Sequence, residues 1–274
     1  MINYDVHHFD LFAGTKSWGK GLIRALQTLA DERGVFPTFF SHSLDVMPES
    51  GSDYVMDVFD FDEREYARRF GFPNYVTISP PCTAFSVARI GYNWTKDIDE
   101  NGERIPKTEA AREGLMILRR ALEILDYWAP EYFILENPRG MMRKMIDLEP
   151  IHRATVWYCR YADFRAKPTD LWMSDELAEI WEPLPMCKNG ATKLGLCHHQ
   201  PSPRGADTGT QSLKKIDRSI IPIRLTTSVA TAVIQGLCDS APRCIECLGC
   251  DLPHGSLGDY CSEECENQGP YEWR

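Results

Sequence analysis

Along the first 138 residues, apolar runs of four to six residues alternate with stretches of helical periodicity. A chain of this pattern has to bury one face of each helix and both faces of each run, which a layered α/β arrangement does. His7–Phe12, Val35–Phe40, Tyr54–Val58, Tyr75–Ser79 and Tyr132–Leu135 read as strands. Helices are expected near Trp18–Asp31, over Glu63–Phe70, and over Thr108–Trp128, where Leu115, Leu118, Leu122 and Leu125 recur at helical spacing. Strands joined through helices pair in parallel. The expectation is therefore a Rossmann-like, mostly parallel sheet with helices on both faces. Residues 86–108, between the fourth strand and the long helix, read as a polar loop.

The alternation stops after Trp172. Residues 173–217 are rich in Pro, Gly, Lys and Cys and read as a small irregular insert, Ser219–Leu237 regains helical character, and Ala241–Arg274 is cysteine-rich and acidic. The expected division is a main domain of residues 1–172 with 218–238, an insert at 173–217 and a separate module at 241–274. A chain of 274 residues has room for one substantial core with such appendages. No uninterrupted apolar run of 18 residues occurs, so no membrane span is expected. The opening MINYDVHHFDLF lacks a basic region followed by an apolar core, which is not the pattern of a secretion signal. Ten cysteines without such a signal point to a reducing, cytoplasmic setting and to metal or catalytic uses of sulfur. The net charge is −10, but it is uneven: −8 over residues 1–138, +4 over 139–238 and −6 over 239–274. The middle third is the only candidate for a phosphate-facing surface, with a solvated mixed-charge surface as the alternative.

Three stretches carry chemistry. The first is Asp10-Leu11-Phe12-Ala13-Gly14-Thr15-Lys16-Ser17, at the carboxyl end of the first strand, where nucleotide-type ligands bind in such sheets. Gly14 allows close backbone approach. There is no G-x-G-x-x-G and no Walker lysine, so no phosphate cradle is indicated. Asp45 after the second strand suits two ribose hydroxyls, and Asp57 at the end of the third suits an adenine amino group. Singly these are a turn glycine and solvated aspartates; together they suggest an adenosyl ligand without pyrophosphate. The second stretch is Pro80-Pro81-Cys82-Thr83 followed by Phe85-Ser86. Two prolines restrict the corner and present a cysteine at a strand end, a nucleophile's position. The third is Glu136-Asn137-Pro138, closing the fifth strand on the same edge. A partly desolvated glutamate there can share a proton with a substrate; an ordinary helix-capping carboxylate is the alternative. Arg165 and Lys167 follow a sixth strand.

Taken in order, Asp10-Leu-Phe-Ala-Gly14, Pro80-Pro-Cys82-Thr-Ala-Phe-Ser86, Glu136-Asn137, the Arg165/Lys167 pair and Ile221-Pro222 resemble the cytosine-C5 methyltransferase family. The resemblance implies a class I fold that binds S-adenosylmethionine, with Phe12, Ala13, Gly14, Thr15, Ser17, Asp45, Asp57, Pro80 and Ser219 at the cofactor. It implies that Cys82 attacks C6 of a flipped cytosine in duplex DNA, that Glu136 protonates the ring at N3, and that Arg165 and Lys167 steady the site. Thr83 stands where the family has glutamine, Lys167 where it has a second arginine, and Ser219 where it has asparagine. The Gly-Thr-Lys-Ser turn lacks the family's second glycine. An RNA cytosine methyltransferase and a catalytically silent nucleic-acid-binding module are the alternatives. The insert would be the target-recognition region, with Arg204, Lys214 and Lys215 as its basic groups.

Two cysteine sets have ligand character. Cys244 and Cys247, then Cys261 and Cys265, have the spacing of a structural zinc site, with Cys250 and His254 as possible substitutes. Cys187, Cys197 and His198, with Cys159 as a fourth member, form a weaker set in which His199 competes with His198.

Overall fold

A computed structural model describes residues 5–33, 37–187 and 213–240. The chain opens with β1 (Val6–Leu11), α1 (Ser17–Arg33), β2 (Phe39–Asp45), β3 (Tyr54–Val55), α2 (Glu63–Phe70) and β4 (Tyr75–Ile78). It continues through α3 (Ile90–Asn93), β5 (Trp94–Ile98), β6 (Arg104–Pro106), α4 (Glu109–Trp128) and β7 (Tyr132–Pro138). Then follow β8 (His152–Trp157), β9 (Pro168–Met173), α5 (Asp175–Ile180), α6 (Lys215–Ser219) and α7 (Ile223–Ser240).

Seven strands form one sheet in the order β3-β2-β1-β4-β7-β9-β8. The strands from β3 to β7 are all parallel, and β9 runs antiparallel to both neighbours. This is the mostly parallel Rossmann-like sheet expected. Strand order reverses between β1 and β4, so a crevice opens there at the carboxyl ends, the usual ligand position in such sheets.

The central strands bury every residue, as their continuous apolar character requires. One face carries Phe9, Leu11, Val76, Ile78 and Leu135 under α2 and α4. Helix α4 contributes the stripe Ala111, Leu115, Leu118, Ala121, Ile124, Leu125 and Trp128, and Thr108 caps it by accepting from the Ala111 amide. Asp62 caps α2 in the same way, accepting from the Arg64 and Glu65 amides. On the other face α1 and α7 pack together through Leu22, Leu26, Leu29, Ala230 and Ile234. Their backbones come close at Gly21, where an added Cβ would lie 2.7 Å from the carbonyl carbon of Thr226. Residues 216–238 are long and apolar enough to cross a membrane by length and composition alone. Leu225, Val229, Ala230, Val233 and Ile234 are spent in the core, however, as in any internal helix.

Four expectations are corrected. The second strand begins at Phe39, beyond Pro37, whose missing N–H cannot join a ladder; it continues through the mixed Ser-His-Ser-Leu-Asp run near the edge of the sheet. The third strand stops at Val55. The polar stretch 86–108 holds α3 and the antiparallel pair β5–β6 rather than a plain loop. Trp94 explains this: its ring stacks on Phe85 at 5.7 Å and its indole N–H donates to the Ala84 carbonyl, tying the segment down. Lastly, the segment read as irregular after Trp172 begins with α5, and Leu177 and Trp181 join the core beside Leu225 and Val229; residues 188–212 of it lie outside the described residues.

Candidate active site

Parallel pairing brings the carboxyl ends of β1, β4 and β7 to one edge, and with them Gly14, Cys82 and Glu136. The register places Pro138 opposite Thr169 and Trp157 opposite Pro168. The start of β9 and the end of β8 therefore reach the same edge, carrying Lys167 and Tyr158.

Cys82 sits in a turn whose shape is fixed on several sides. The Phe85 and Ser86 amides donate back to the Cys82 carbonyl at 3.1 and 3.0 Å. Asn137, fully buried, donates from Nδ2 to the Pro80 carbonyl at 3.0 Å, locking the diproline to β7. The Met141 amide donates to the Phe85 carbonyl at 2.7 Å, and an added Cβ on Gly140 would fall 2.1 Å from that oxygen. Only glycine permits this approach. Asn93 and Trp94 both donate to the Ala84 carbonyl, at 3.0 and 2.8 Å.

Cys82 is reached by solvent but recessed among protein groups, and this desolvation pushes its pKa up from the usual thiol value. Lys167 pulls the other way, Glu136 adds to the rise, and Arg218 lowers it slightly. Glu136 is buried; its Oε1 accepts from the Tyr158 hydroxyl at 2.8 Å and lies 3.8 Å from Lys167 Nζ. Lys167 Nζ also donates to the Arg218 carbonyl at 3.3 Å. The structure thus brings Cys82, Glu136 and Lys167 together. Arg165 is placed behind them. Its guanidinium pairs with Asp163 and donates to the Asp217 and Ile220 carbonyls, both at 2.8 Å, fastening α6 to the site.

At the β1 end the chain turns through three residues of positive φ, Phe12 (61°), Gly14 (49°) and Lys16 (54°). At Phe12 and Lys16 this is an uncommon, costly conformation. Asp45 takes the Gly14 and Met47 amides on its two oxygens, each at 2.8 Å, and so shapes this loop. Each oxygen keeps a lone pair for a further donor. Asp57 is exposed and accepts from the Phe59 amide at 3.0 Å. Ser17 is buried; it accepts from the Ile221 amide at 3.1 Å and pairs with Thr15 at 2.8 Å. A cleft of about 520 Å³ opens between this loop and the segment before α7, lined by Thr15, Ser17, Tyr161, Asp163, Ile221 and Pro222. Pro80 is buried after β4, Ala13 is buried beside Gly14, and Ser219 is exposed on α6 with its hydroxyl donating to the Ile216 carbonyl.

Asp10 behind this loop is 2% exposed. Its Oδ1 accepts from Thr77 at 2.8 Å while Oδ2 is buried without a partner. Burial, and secondarily the charge of Asp45, raise its pKa to about 7. The cleft itself carries both signs of charge, since Lys20 and Arg224 line it as well as Asp163 and Asp217.

Cys159 and Cys187 come together in a small buried cluster with Trp157 and Ala166 against it. Cys197 and His198, like Cys244, Cys247, Cys261 and Cys265, lie outside the described residues. Among the described residues no three His, Cys, Asp or Glu side chains are grouped to hold a metal. Sequence reasoning missed Tyr158 and Gly140. Neither belongs to a motif, and each matters only through a neighbour distant in the chain.

No protein-family model matches the chain. Over 129 residues it is 36% identical to a protein of Frog virus 3 (isolate Goorha) named "Probable DNA (cytosine-5)-methyltransferase". That match takes in 46% of this chain and 56% of the viral protein, so the chain matches just over half of its relative's length. Solved structures that superpose on the chain include a mutant of Spodoptera frugiperda DNMT2, with a TM-score of 0.40 and 12% identity over 67% of this chain and 53% of that one. The Dnmt2 methyltransferase of S. pombe superposes with a TM-score of 0.39 and 11% identity over 85% of this chain and 96% of that one.

Proposed function

We propose that this relative of the cytosine-C5 methyltransferases transfers a methyl group from S-adenosylmethionine to C5 of a cytosine extruded from DNA. One observation carries the reading: a recessed thiol, a buried carboxylate and a lysine converge at the ends of three strands, beside the loop that Gly14 and Asp45 shape. Gly14, Asp45 and Asp57 would hold S-adenosylmethionine there, and it would supply an electrophilic methyl group.

The chain's own residues do the rest. Cys82 gives up its proton to solvent and its thiolate adds to C6 of the ring, a bond that sulfur forms and breaks readily. Lys167 opposes the desolvation that otherwise keeps the thiol protonated. Glu136 gives its proton to N3, so the electron pair displaced by the thiolate gathers at C5, the position to be methylated with release of the demethylated cofactor. Loss of the C5 proton to solvent and return of the N3 proton to Glu136 then expel the Cys82 thiolate and restore the aromatic ring. Arg165 and Asn137 hold the scaffold of this constellation without touching the base. Structural zinc at Cys244, Cys247, Cys261 and Cys265 belongs to the same proposal.

The test is methyl transfer from labelled S-adenosylmethionine to matched DNA and RNA, followed by base-resolution sequencing. The reading expects 5-methylcytosine in DNA. Methylation confined to RNA would replace the substrate, and binding without transfer to either would replace the enzyme by a silent module. The same preparation, analysed for bound metal, should carry zinc.

A further inference from the structure

We infer that Tyr158 is a positioning residue for Glu136, its hydroxyl holding Oε1 of the carboxylate so that Oε2 is the oxygen that shares a proton with the substrate ring. This rests on the methyl-transfer reading above and assigns a further residue to that site.

Tyr158 follows β8 directly, at the edge where β7 ends, because two antiparallel pairings return β8 to the direction of β7. Its amide donates to the Lys167 carbonyl at 3.1 Å, so the tyrosine and the lysine are fixed to each other by backbone. The ring is completely buried, and the hydroxyl meets Glu136 Oε1 at 2.8 Å. Lys167, at 3.8 Å, is beyond hydrogen-bond length from the same oxygen. A single ammonium cannot make the planar two-point contact of a guanidinium; here a tyrosine completes the hold on the carboxylate.

The groups facing Glu136 can be named from each element around it. Cys82 comes from the turn after β4, Tyr158 from the end of β8, and Arg165 and Lys167 from the segment entering β9. Arg218 of α6 faces the thiol. Burial, and next the charge of Glu136, drive the Tyr158 pKa well above its ordinary value. The hydroxyl therefore keeps its proton at every working pH. It is a constant donor to Oε1 and not the acid of the cycle, which leaves Oε2 for the mobile proton. The ring also holds both nearby cations: Lys167 Nζ lies 4.8 Å and the Arg165 guanidinium 5.2 Å from its centroid, within reach of cation–π attraction.

Tyr158→Phe separates the hydroxyl's role from the ring's, since it keeps the ring and deletes only the hydroxyl. The kcat for methyl transfer should fall about ten- to a hundred-fold, the effect of losing a hydrogen bond to a charged group, with KM for cofactor and nucleic acid unchanged. The carboxyl stretching band of Glu136, followed by infrared spectroscopy and identified by its loss in Glu136→Gln, should shift in the variant, because Oε1 has lost its hydrogen-bond donor. An unmoved Glu136 band, or an unchanged kcat, would overturn the inference. If the unaltered protein transfers no methyl group at all, the reading of function falls, while the infrared band still decides whether Tyr158 holds this carboxylate.

Discussion

A buried carboxylate with an unpartnered oxygen makes Asp10 the most demanding residue at the carboxyl end of β1. Its folded pKa, about 7, is raised above the ordinary 3.8. The folded state thus binds the proton more tightly than the unfolded chain does. Stability from this group is complete below about pH 4, falls as pH rises to about 7, and is then flat; the change across that window is about 4 kcal/mol. His7 and His8 act oppositely, since burial lowers them to about 4 and about 3 and their contribution is lost as pH falls below the ordinary 6.5. The clean measurement is therefore a difference. Urea unfolding of Asp10→Asn against the unaltered protein should show the variant gaining relative stability between pH 4 and pH 7. Parallel stability curves would mean that Asp10 is not protonated in the native state. Much at this scale was legible in sequence. Cys82 and Glu136 each close an apolar run, so their edge followed from parallel pairing alone. Tyr158 was not legible, because its partner is decided by β9 inserting between β7 and β8, a choice no local pattern records.

Elements built from strongly periodic or continuously apolar sequence were legible almost to the residue: α2, α4 and β4 stand where the pattern puts them, and β7 begins where expected but runs on to Pro138. Those that depend on tertiary support were not. Strand β2 is half polar and owes its place to β1. Helix α3 and the β5–β6 pair depend on Trp94 and Asn93 reaching back to Ala84. The α1–α7 contact gives the sharpest prediction at this scale. Gly21→Ala puts a methyl group against the Thr226 side chain and backbone, which a rotamer change cannot relieve. It should destabilise the protein by about 1–3 kcal/mol, measured by urea denaturation, whereas Gly19→Ala, with open space around its Cβ position, should not destabilise. Equal effects of the two would mean that the helices are not in close contact.

For the whole molecule, the sheet order gathers a sulfur, an acid and a cation from chain positions 82, 136 and 167 onto one rim, with Gly14 and Asp45 next to them at the point where strand order reverses. The net charge of −10 hides this division, because the basic excess is confined to residues 139–238. Lys167 and Arg218 belong to that region and act on the thiol. The chemistry follows from this convergence, and a covalent bond between Cys82 and the pyrimidine is its central claim. Incubation with S-adenosylmethionine and DNA containing 5-fluorocytosine, which blocks the final proton loss, tests it directly by intact mass and peptide mapping. The account predicts a stable protein–DNA adduct on Cys82 that Cys82→Ser abolishes without loss of DNA binding. Methylated DNA formed with no adduct, or an adduct mapped to another cysteine, would contradict it.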